Sequence, residues 1–300
     1  MSDQLIAARP PGIARRAPRP RTGAPRRGRV RHAVSAALLW TVAGVFMLPL
    51  VYTVATSLKP AGEVFTSPPT LWGSQIRWAN YTDAMSYLPF HRFILNGLLV
   101  AGLGTAVVLV ASTTAAYAFA RLRWRGRDSV FLTYLMTLML PQEVLVVPMF
   151  LLMLNFGWVD SYQALILPWA FTAFGTFMLR QFLLTVPREL DQAATIDGAG
   201  RLRIFWSVLL PLARPSIAVL AVFTFITYWN SFLWPLVITT SVEDKGTVPL
   251  GLSLFFSQQG SQWSLVMAAS VVSMVPTVAL VLLLRRHLVS GIATAGLGGR

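Results

Sequence analysis

Few side chains in this 300-residue sequence have the chemistry of catalytic groups or metal ligands. Cysteine is absent, which excludes thiolate nucleophiles and cysteine-ligated zinc or iron–sulfur sites. The three histidines, His32, His91 and His287, lie in three different segments, so a histidine-based triad or metal site is not expected. We therefore predict that the chain is not an enzyme and that it has no catalytic residues, no metal site and no cofactor.

Nucleotide binding is not expected in this chain either. The pattern G-x-x-x-x-G-K-[ST], whose backbone amides and lysine hold nucleotide phosphates, occurs nowhere in the sequence. If the protein works with ATP, another polypeptide must therefore bind the nucleotide and hydrolyse it.

The segment 187–200 has the residue pattern of a short helix that contacts another protein. Pro187 suits the first position of a helix, and Glu189 and Asp191 complement the positive end of the helix dipole. Gly198 is expected to end or sharply bend the helix. Helical spacing places four residues on one narrow face: Leu190, Ala193, Ala194 and Asp197. Such a face suits a groove on a partner, and an ordinary loop helix lying on a membrane is the alternative.

Glu143 is the one acidic residue inside any of the long apolar stretches. An ionised carboxylate in hydrocarbon costs a few kcal/mol, so an ionisable residue at this depth is a functional hypothesis. It lies between Pro141 and Pro148, and a kinked helix there would expose free backbone groups that a carboxylate can satisfy. Both a structural role and a place on a substrate path remain open.

A second polar position lies in the fifth apolar stretch, where Trp229-Asn230 is followed by Trp234-Pro235. An Asn within a membrane often joins helices through its amide, for about 1 kcal/mol. Amide groups and flat indole faces also suit the binding of a sugar ring. The sequence leaves both interpretations open.

These residues belong to a chain with the composition of a membrane protein. Hydrophobic residues make up 55% and charged residues only 12%, against roughly 25% charged in globular proteins. About 20 apolar residues span a bilayer as a helix, since lipid offers the backbone no hydrogen-bond partner. Six stretches qualify: 33–58, 93–120, 130–154, 161–179, 215–242 and 246–284, the last with its helix starting near Trp263. We predict an all-α membrane protein with six transmembrane helices.

The basic residues predict how the helices are oriented. Of 25 Lys and Arg residues, 21 lie in the segments 1–32, 121–127, 180–214 and 285–300, and the connections between them hold the other four. Because positive residues concentrate on the cytoplasmic side, both termini are predicted to be cytoplasmic. Six spans separate seven segments, and these seven are alternately rich and poor in Lys and Arg, as a chain that crosses the membrane six times requires.

Three parts of the chain follow from this pattern. Residues 1–32 form an Arg/Pro-rich cytoplasmic tail that is expected to be disordered and attracted to membrane lipid. Residues 33–287 form the transmembrane domain, and residues 288–300 a cytoplasmic C-terminal tail. No aromatic residues alternate with the arginines of the first tail, so nucleic-acid binding is not expected.

The run from Glu189 to Pro215 resembles the EAA signature of bacterial ABC importer permeases. It contains Ala193-Ala194, Asp197-Gly198-Ala199 and Leu210-Pro211. Other similarities point to the carbohydrate-uptake subgroup, and to the smaller permease of the maltose type: Asn80-Tyr81, Ala116 to Arg121, Pro141 to Pro148, and Trp229-Asn230 to Trp234-Pro235. The resemblance covers roughly residues 34–298.

The resemblance implies the type I architecture of ABC importers in the bacterial cytoplasmic membrane. Its implied partners are a second permease in a heterodimer, an ABC ATPase dimer and an extracytoplasmic sugar-binding protein. The residues implied to couple to the ATPase are Glu189, Gln192, Ala193, Ala194, Asp197, Gly198 and Ala199. The candidates for the substrate path are Glu143, Trp229, Asn230 and Trp234.

The chain departs from the family pattern at Gln192, where a Glu typically precedes the two alanines. A Gln cannot form the ion pair that a carboxylate would form with a basic residue of the ATPase. Two other functions remain as alternatives: a permease for a non-sugar solute such as a glycerophosphate compound, and a membrane scaffold without a conducting path. A scaffold would have no need of the segment 187–200.

Overall fold

The computed structural model describes the backbone of residues 26–256 and 262–297, and the side chains of residues 34–256 and 262–286. Within those ranges the regular structure is helical without strands, which confirms the all-α prediction. Residues 1–25 of the predicted tail lie outside the described residues, and the first helix begins at Arg26. The chain divides into two units, residues 1–50 and 51–300.

The helices of the described chain differ widely in length. They are α1 (Arg26–Ser57), α2 (Ala79–Tyr87), α3 (Phe90–Arg121), α4 (Arg127–Met136), α5 (Gln142–Asn155), α6 (Tyr162–Ile166), α7 (Ala173–Thr185), α8 (Glu189–Ile196), α9 (Arg201–Ile204), α10 (Leu210–Leu212), α11 (Arg214–Trp229), α12 (Leu233–Ile238), α13 (Val242–Lys245), α14 (Val248–Leu254) and α15 (Trp263–Leu297). Short 3₁₀ turns cover Ala61–Glu63, Thr137–Met139 and Leu167–Trp169, and a π-helical turn covers Phe205–Leu209. Only α1, α3 and α15 exceed 30 residues, so the other predicted spans consist of shorter pieces.

Three helical segments of the described chain are each long and apolar enough to cross a membrane: Val34–Ser57, Phe90–Arg121 and Trp263–Arg286. They correspond to the first, second and sixth predicted spans. The other candidate spans are three helix pairs, each bent at a short break: residues 127–155 by 102°, 162–185 by 47° and 201–229 by 75°. If each pair crosses once, the described residues contain six spans.

The third predicted span, 130–154, is not one continuous helix. The chain bends by 102° between Met139 and Gln142, and Leu140 has the extended backbone of a strand. Proline lacks a backbone N–H and disfavours helical geometry in the residue before it, so Pro141 interrupts the helix here. Pro148 by contrast lies inside α5 without ending it.

The fifth predicted span, 215–242, is also wrong as a continuous helix. Helix α11 ends at Trp229, and the chain becomes helical again only at Leu233. The bend of 75° instead separates α11 from the helical segment 201–212 that precedes it. Prolines and π-helical turns are the usual causes of sharp kinks, and this region has both, with Pro211 and Pro215 following the turn Phe205–Leu209.

Helix α3 lies at the centre of the unit 51–300 and packs against α7 and α11. A side chain added at Gly104 would place its Cβ within 2.7 Å of the Tyr228 ring, so glycine is needed for α11 to come this close. Two buried clusters contain α3 residues: Phe93 belongs to the first and Tyr117 to the second. At 1.5 Å per residue, α3 is about 48 Å long and connects the two clusters.

At its N-terminal end α3 is joined to α13 and to the residue that follows it, Gly246. The Asn96 amide donates to the carbonyls of Asp244 (2.7 Å) and Gly246 (3.1 Å), and its oxygen accepts from the Tyr162 hydroxyl (2.8 Å). The buried Asn96 therefore has hydrogen-bond partners for both ends of its side-chain amide. Nearby, Arg92 and Asp244 form an ion pair at 2.9 Å on the surface.

Candidate functional site

A short helix, α8, lies in the segment 187–200 where the sequence predicts one. Glu189 and Asp191 occupy its first turn, where negative charge is favoured by the helix dipole. Beyond its last residue the Gly198 N–H donates to the Thr195 carbonyl (3.0 Å) and the Ala199 N–H to the Ala194 carbonyl (2.9 Å). Gly198 itself has a positive φ of 78°. This is a Schellman end, whose left-handed backbone at position 198 strongly favours glycine.

The C-terminal end of α3 fixes the orientation of α8. The Arg121 guanidinium lies 3.2 Å from the Asp191 carboxylate, and only 5% and 23% of these side chains are exposed. Arg121 also donates to the Val186 carbonyl at 2.9 Å, just before α8. One turn earlier on α3, the Tyr117 hydroxyl donates to the Arg201 carbonyl at 3.0 Å, just after α8. Both chain ends that flank α8 are thereby attached to α3.

The two alanines of the predicted small-residue face of α8 have different environments. Ala194 and the following Ala199 are half-buried against the second cluster, whereas Ala193 faces solvent. The outer surface of the helix also includes Ile196, whose side chain is 86% exposed. The remaining candidate coupling residues are exposed as well: Glu189, Gln192, Asp197 and Gly198. Five of the seven candidates are therefore accessible to a partner, and two attach the helix to the bundle.

Sequence reasoning missed three large apolar side chains at this end of the molecule. Ile196, Leu202 and Trp206 are 86%, 74% and 61% exposed. They could have been recognised from the sequence, because all three lie in the arginine-rich connection 180–214, outside the predicted spans. Exposed large apolar residues that cluster outside a membrane span often mark a site of protein contact. Ile196 is the last residue of α8, and Leu202 and Trp206 lie in the helical turns that follow it.

An open cavity of about 370 Å³ lies between α5, α11 and the connections around them. Its lining combines aromatic, aliphatic and hydroxyl side chains: Val108, Gln142, Glu143, Val146, Trp169, Thr172, Phe174, Leu220, Phe223, Thr224, Thr227, Tyr228, Ser231, Phe232, Leu233 and Trp234. We call it the Glu143 cavity. Its size and its mixture of apolar walls with a few polar groups are typical of sites for small molecules.

Two of the four candidate path residues, Glu143 and Trp234, line the Glu143 cavity. Glu143 lies in the first turn of α5, just after the break at Pro141, and its side chain is exposed. Trp234 is buried and donates from its indole nitrogen to the Ala164 carbonyl at 2.8 Å.

The other two candidates, Trp229 and Asn230, line a separate cavity of about 390 Å³ beside α14 and α15. The Trp229 indole nitrogen donates to the Ser273 carbonyl at 3.1 Å and so joins α11 to α15. Asn230 is exposed, and its side chain makes no hydrogen bond to any described residue. Within the described chain the role of joining helices therefore belongs to the indole of Trp229.

The hydroxyl groups of the Glu143 cavity were not predicted as site residues. Thr224, Thr227 and Ser231 follow one another at spacings of three and four residues, which places them along one side of α11 and its end. That periodic pattern of small polar residues in an apolar span could have identified them. Among the described residues, no group of three or more His, Asp or Glu side chains could hold a metal ion.

Comparison with known proteins gives consistent results. Residues 108–294 match the family model "Binding-protein-dependent transport system inner membrane component". The chain is 38% identical to the sn-glycerol-3-phosphate transport system permease protein UgpE of Yersinia pestis bv. Antiqua, over 83% of this chain and 91% of that protein. It is 33% identical to the arabinooligosaccharides transport system permease protein AraQ of Halalkalibacterium halodurans, over 86% and 93%.

The fold is similar to that of solved transporters. A chain from a bacterial ABC transporter involved in the import of the acidic polysaccharide alginate superposes with a TM-score of 0.74 and 22% identity, covering 88% of this chain and 99% of that one. A second structure, the alginate ABC transporter with a pentasaccharide-bound periplasmic protein, gives a TM-score of 0.62 and 18% identity, covering 85% and 93%. At this level of identity the likeness concerns the fold.

Proposed function

This chain belongs to the family of binding-protein-dependent transport system inner membrane components, and from that premise we propose that it moves a carbohydrate into the cell with energy from a separate ATPase. The observation that carries the proposal is the exposed outer surface of α8, which the buried Arg121–Asp191 pair turns away from the helical bundle. A helix presented in one fixed orientation is what docking to a partner requires. In this proposal both termini and α8 lie in the cytoplasm, which the distribution of arginines supports.

The proposed complex contains a second permease, a dimer of ABC ATPase subunits and an extracytoplasmic binding protein. A periplasmic protein is part of the solved alginate transporter complex to which this fold is similar, which supports the binding-protein partner. The ATPase is proposed as a separate subunit because transport driven by ATP needs a nucleotide-binding chain, and this sequence contains no G-x-x-x-x-G-K-[ST] pattern. Heterodimer formation is proposed from the resemblance of the chain to the smaller maltose-type permease.

In this proposal α8 enters a cleft of the ATPase and transmits its movement to α3. Glu189, Gln192, Ala193, Asp197 and Gly198 contact the ATPase, while Ala194 and Ala199 hold the helix against the bundle. Closure of the ATPase pair on ATP changes the position of α8. ATP binding drives the permease between inward-open and outward-open states because the ATPase binds nucleotide with different affinity in the two states.

The Gln at position 192 changes the chemistry of this contact. Its side chain is exposed on the outer surface of α8 and can donate and accept hydrogen bonds, but it carries no charge. Docking by this chain is therefore proposed to rest on the shape of Ala193 and Gly198 and on the apolar surface of Ile196.

The segment 59–92 is proposed to meet the binding protein on the outer side of the membrane. Phe65, Trp72 and Trp78 are 73%, 55% and 69% exposed. The segment has a defined shape, since the buried Lys59 ammonium donates to the Thr70 carbonyl. Exposed aromatic side chains on an ordered loop are frequent anchors in protein interfaces.

A non-sugar solute remains the second candidate for the substrate. The relatives at 38% identity are named as sn-glycerol-3-phosphate permeases, whereas the relative at 33% is named for arabinooligosaccharides. Uptake assays with the companion binding protein and each class of solute separate the two.

The first experiment tests the partners. The chain is purified from its native membrane in mild detergent, and the proteins that accompany it are identified by mass spectrometry. Recovery of a second permease and an ABC ATPase is the expected result. A chain that remains alone after crosslinking through residues 187–200 would contradict the proposal and favour a scaffold.

The second experiment tests α8 with two matched glycine variants. Gly198 and Gly126 both have positive φ, 78° and 81°, and a Cβ at either would meet no atom within 4 Å. Gly198→Trp and Gly126→Trp therefore impose similar backbone strain and bulk, but only the first obstructs docking of α8. Substrate-stimulated ATP hydrolysis in proteoliposomes is expected to be lost in Gly198→Trp and retained in Gly126→Trp. Equal activity in both variants would remove α8 from the coupling site.

A further inference from the structure

The Glu143 cavity contains a single ionisable carboxylate and no basic side chain. Of its sixteen lining residues, none is Lys, Arg or His. We propose that this cavity accepts an uncharged polyhydroxylated solute and rejects solutes that carry phosphate or carboxylate, with Glu143 as the residue that determines this choice. The proposal rests on the proposed function, because it takes the cavity to lie on the substrate path.

Two of the three polar aromatic side chains in the lining, Trp234 and Tyr228, already use their hydrogen-bond donors within the bundle. The Trp234 indole nitrogen already donates to Ala164, and the buried Tyr228 hydroxyl donates to the Ile166 carbonyl at 2.7 Å. Trp169 meets Trp234 edge to face, with ring centroids 5.6 Å apart. Because these two polar atoms are used within the bundle, Trp234 and Tyr228 donate no hydrogen bond to a solute. The half-buried Trp169 indole N–H has no hydrogen-bond partner among the described residues and remains available as a donor.

Hydrogen bonds to the solute must then come from the Trp169 indole N–H, the short polar side chains and Glu143. The Thr227 hydroxyl donates to the Phe223 carbonyl at 2.9 Å, so its oxygen remains an acceptor for a solute hydroxyl. Gln142 adds an amide with both donors and acceptors, and the Glu143 carboxylate accepts from hydroxyl groups. A pyranose or furanose ring, with C–H faces and peripheral hydroxyls, matches this combination of stacking surface and acceptors.

The same lining opposes an anion. A carboxylate repels a phosphate or uronate group across a cavity of this size, and no lining cation compensates. Discrimination by repulsion of the wrong ligand is a common basis of specificity. The N-terminal end of α5, a feature that attracts anions, is occupied by Glu143 itself.

The absence of cysteine in this chain permits a direct measurement of the charge. A Ser231→Cys variant, in the complex purified with its partners and placed in lipid nanodiscs, is treated with a cationic or an anionic methanethiosulfonate reagent. Mass spectrometry of this chain gives both rates. The cationic reagent is expected to react about fivefold faster, relative to the two rates on a small free thiol, and Glu143→Gln in the same background should abolish the preference.

A Ser270→Cys variant provides the matched control, since Ser270 lines the other cavity, which contains no ionisable side chain. There we expect equal relative rates with and without Glu143→Gln. A preference for the anionic reagent at Ser231→Cys, or no reaction with either, would overturn the proposal. The second outcome would show that lipid or a partner covers the cavity. Neither depends on whether Glu143→Gln folds.

Protection experiments identify the class of solute. Arabinotriose at millimolar concentration should slow modification of Ser231→Cys at least threefold, and sn-glycerol 3-phosphate at the same concentration should have no effect. Equal or stronger protection by the phosphate would overturn the inference. The proposed function would survive that result, because co-purification of the ATPase and stimulated ATP hydrolysis in the Gly198 and Gly126 variants test it separately.

Discussion

The two ends of α3 are attached to their surroundings by different chemistry. At the C-terminal end the attachment is a largely buried ion pair, Arg121–Asp191. At the N-terminal end the ion pair is exposed, with 53% of Arg92 and 69% of Asp244 accessible, and the buried contact is the neutral amide of Asn96. The helix therefore places its buried charge at the end that carries α8.

The difference follows from what each end must hold. A neutral amide with all its partners satisfied fixes a loop at little cost of desolvation. A buried ion pair is costly to desolvate, and removing one partner leaves an uncompensated charge. At the α8 end that penalty disfavours any orientation in which Asp191 turns away from Arg121. We infer that the ion pair specifies the orientation of α8 more than it stabilises the fold.

The largest effect is expected from Arg121→Met. The substitution leaves the Asp191 carboxylate half-buried without a partner and removes the donor to the Val186 carbonyl. We expect a loss of about 3 kcal/mol in stability, seen as a lower thermal denaturation midpoint of the purified complex, and loss of substrate-stimulated ATP hydrolysis. Arg123→Met is the control, because Arg123 is exposed two residues further on. Similar losses in both variants would remove the distinction between the ends of α3.

A smaller effect is expected from Asn96→Leu at the opposite end. The carbonyls of Asp244 and Gly246 and the hydroxyl of Tyr162 would lose a buried partner. We expect about 2 kcal/mol of destabilisation, with ATP hydrolysis per folded complex still stimulated by substrate. Asn155→Leu, at an exposed position, provides the baseline. If Asn96→Leu uncoupled hydrolysis as strongly as Arg121→Met, the ends of α3 would not differ in function.

The pH dependence of stability tests the contacts of Asp160, which bonds residues next to the N-terminal end of α3. Burial alone would raise the pKa of Asp160, but hydrogen bonds from the Ser241 and Thr240 amides and from Lys245 together lower it. A carboxyl whose pKa is lowered by folding stabilises the protein above its ordinary pKa, about 3.9, and this contribution is lost as the pH falls below that value. Asp160→Asn should cost about 1.5 kcal/mol at pH 7 and flatten the decline of the thermal midpoint between about pH 5 and pH 3.

The matched variant for this measurement is Asp83→Asn, whose carboxylate pairs with Arg77 on the surface. We expect its denaturation midpoint to follow pH as the unmodified chain does. An unchanged pH profile in Asp160→Asn would show that the Asp160 contacts contribute nothing to folding.

The smallest effect is expected from Arg92→Gln. Its ion pair with Asp244 is exposed to solvent and screened by salt, so the loss should stay below about 1 kcal/mol. The measurement is the thermal midpoint at low and at 0.5 M salt, and the small difference between the proteins should vanish at the higher concentration. A loss as large as that of Arg121→Met would mean that exposure does not distinguish the two pairs.

The sequence predicted the elements whose signals are local. The acidic first turn and Gly198 mark the two ends of α8, which begins at Glu189, two residues after the predicted first position at Pro187. Apolar stretches of sufficient length define α1, α3 and α15. The orientation of α8, and therefore which of its residues are exposed, was not predictable from local signals. It depends on Asp191 meeting Arg121, which lies 70 residues earlier on another helix.

The breaks in the third and fifth spans show the limit of proline as a signal. The helices on either side of Pro141 are bent by 102° relative to each other, yet Pro148 and Pro276 lie inside continuous helices. Whether a proline ends a helix depends on whether neighbouring helices or water satisfy the freed carbonyls, and those neighbours are remote in sequence. The same breaks determine which residues line which cavity. Glu143 and Trp234 line one cavity, and Asn230 lines the other.

The sharp bend after Met139 has a consequence for how the protein is made. The insertion machinery recognises apolar stretches by length and hydrophobicity, and residues 130–154 satisfy both as if they were one straight span. The bent form leaves backbone groups around Pro141 without helical partners, which lipid cannot satisfy. We therefore expect this stretch to be integrated first and to fold back only when neighbouring helices have arrived, so its final shape is acquired late in biogenesis.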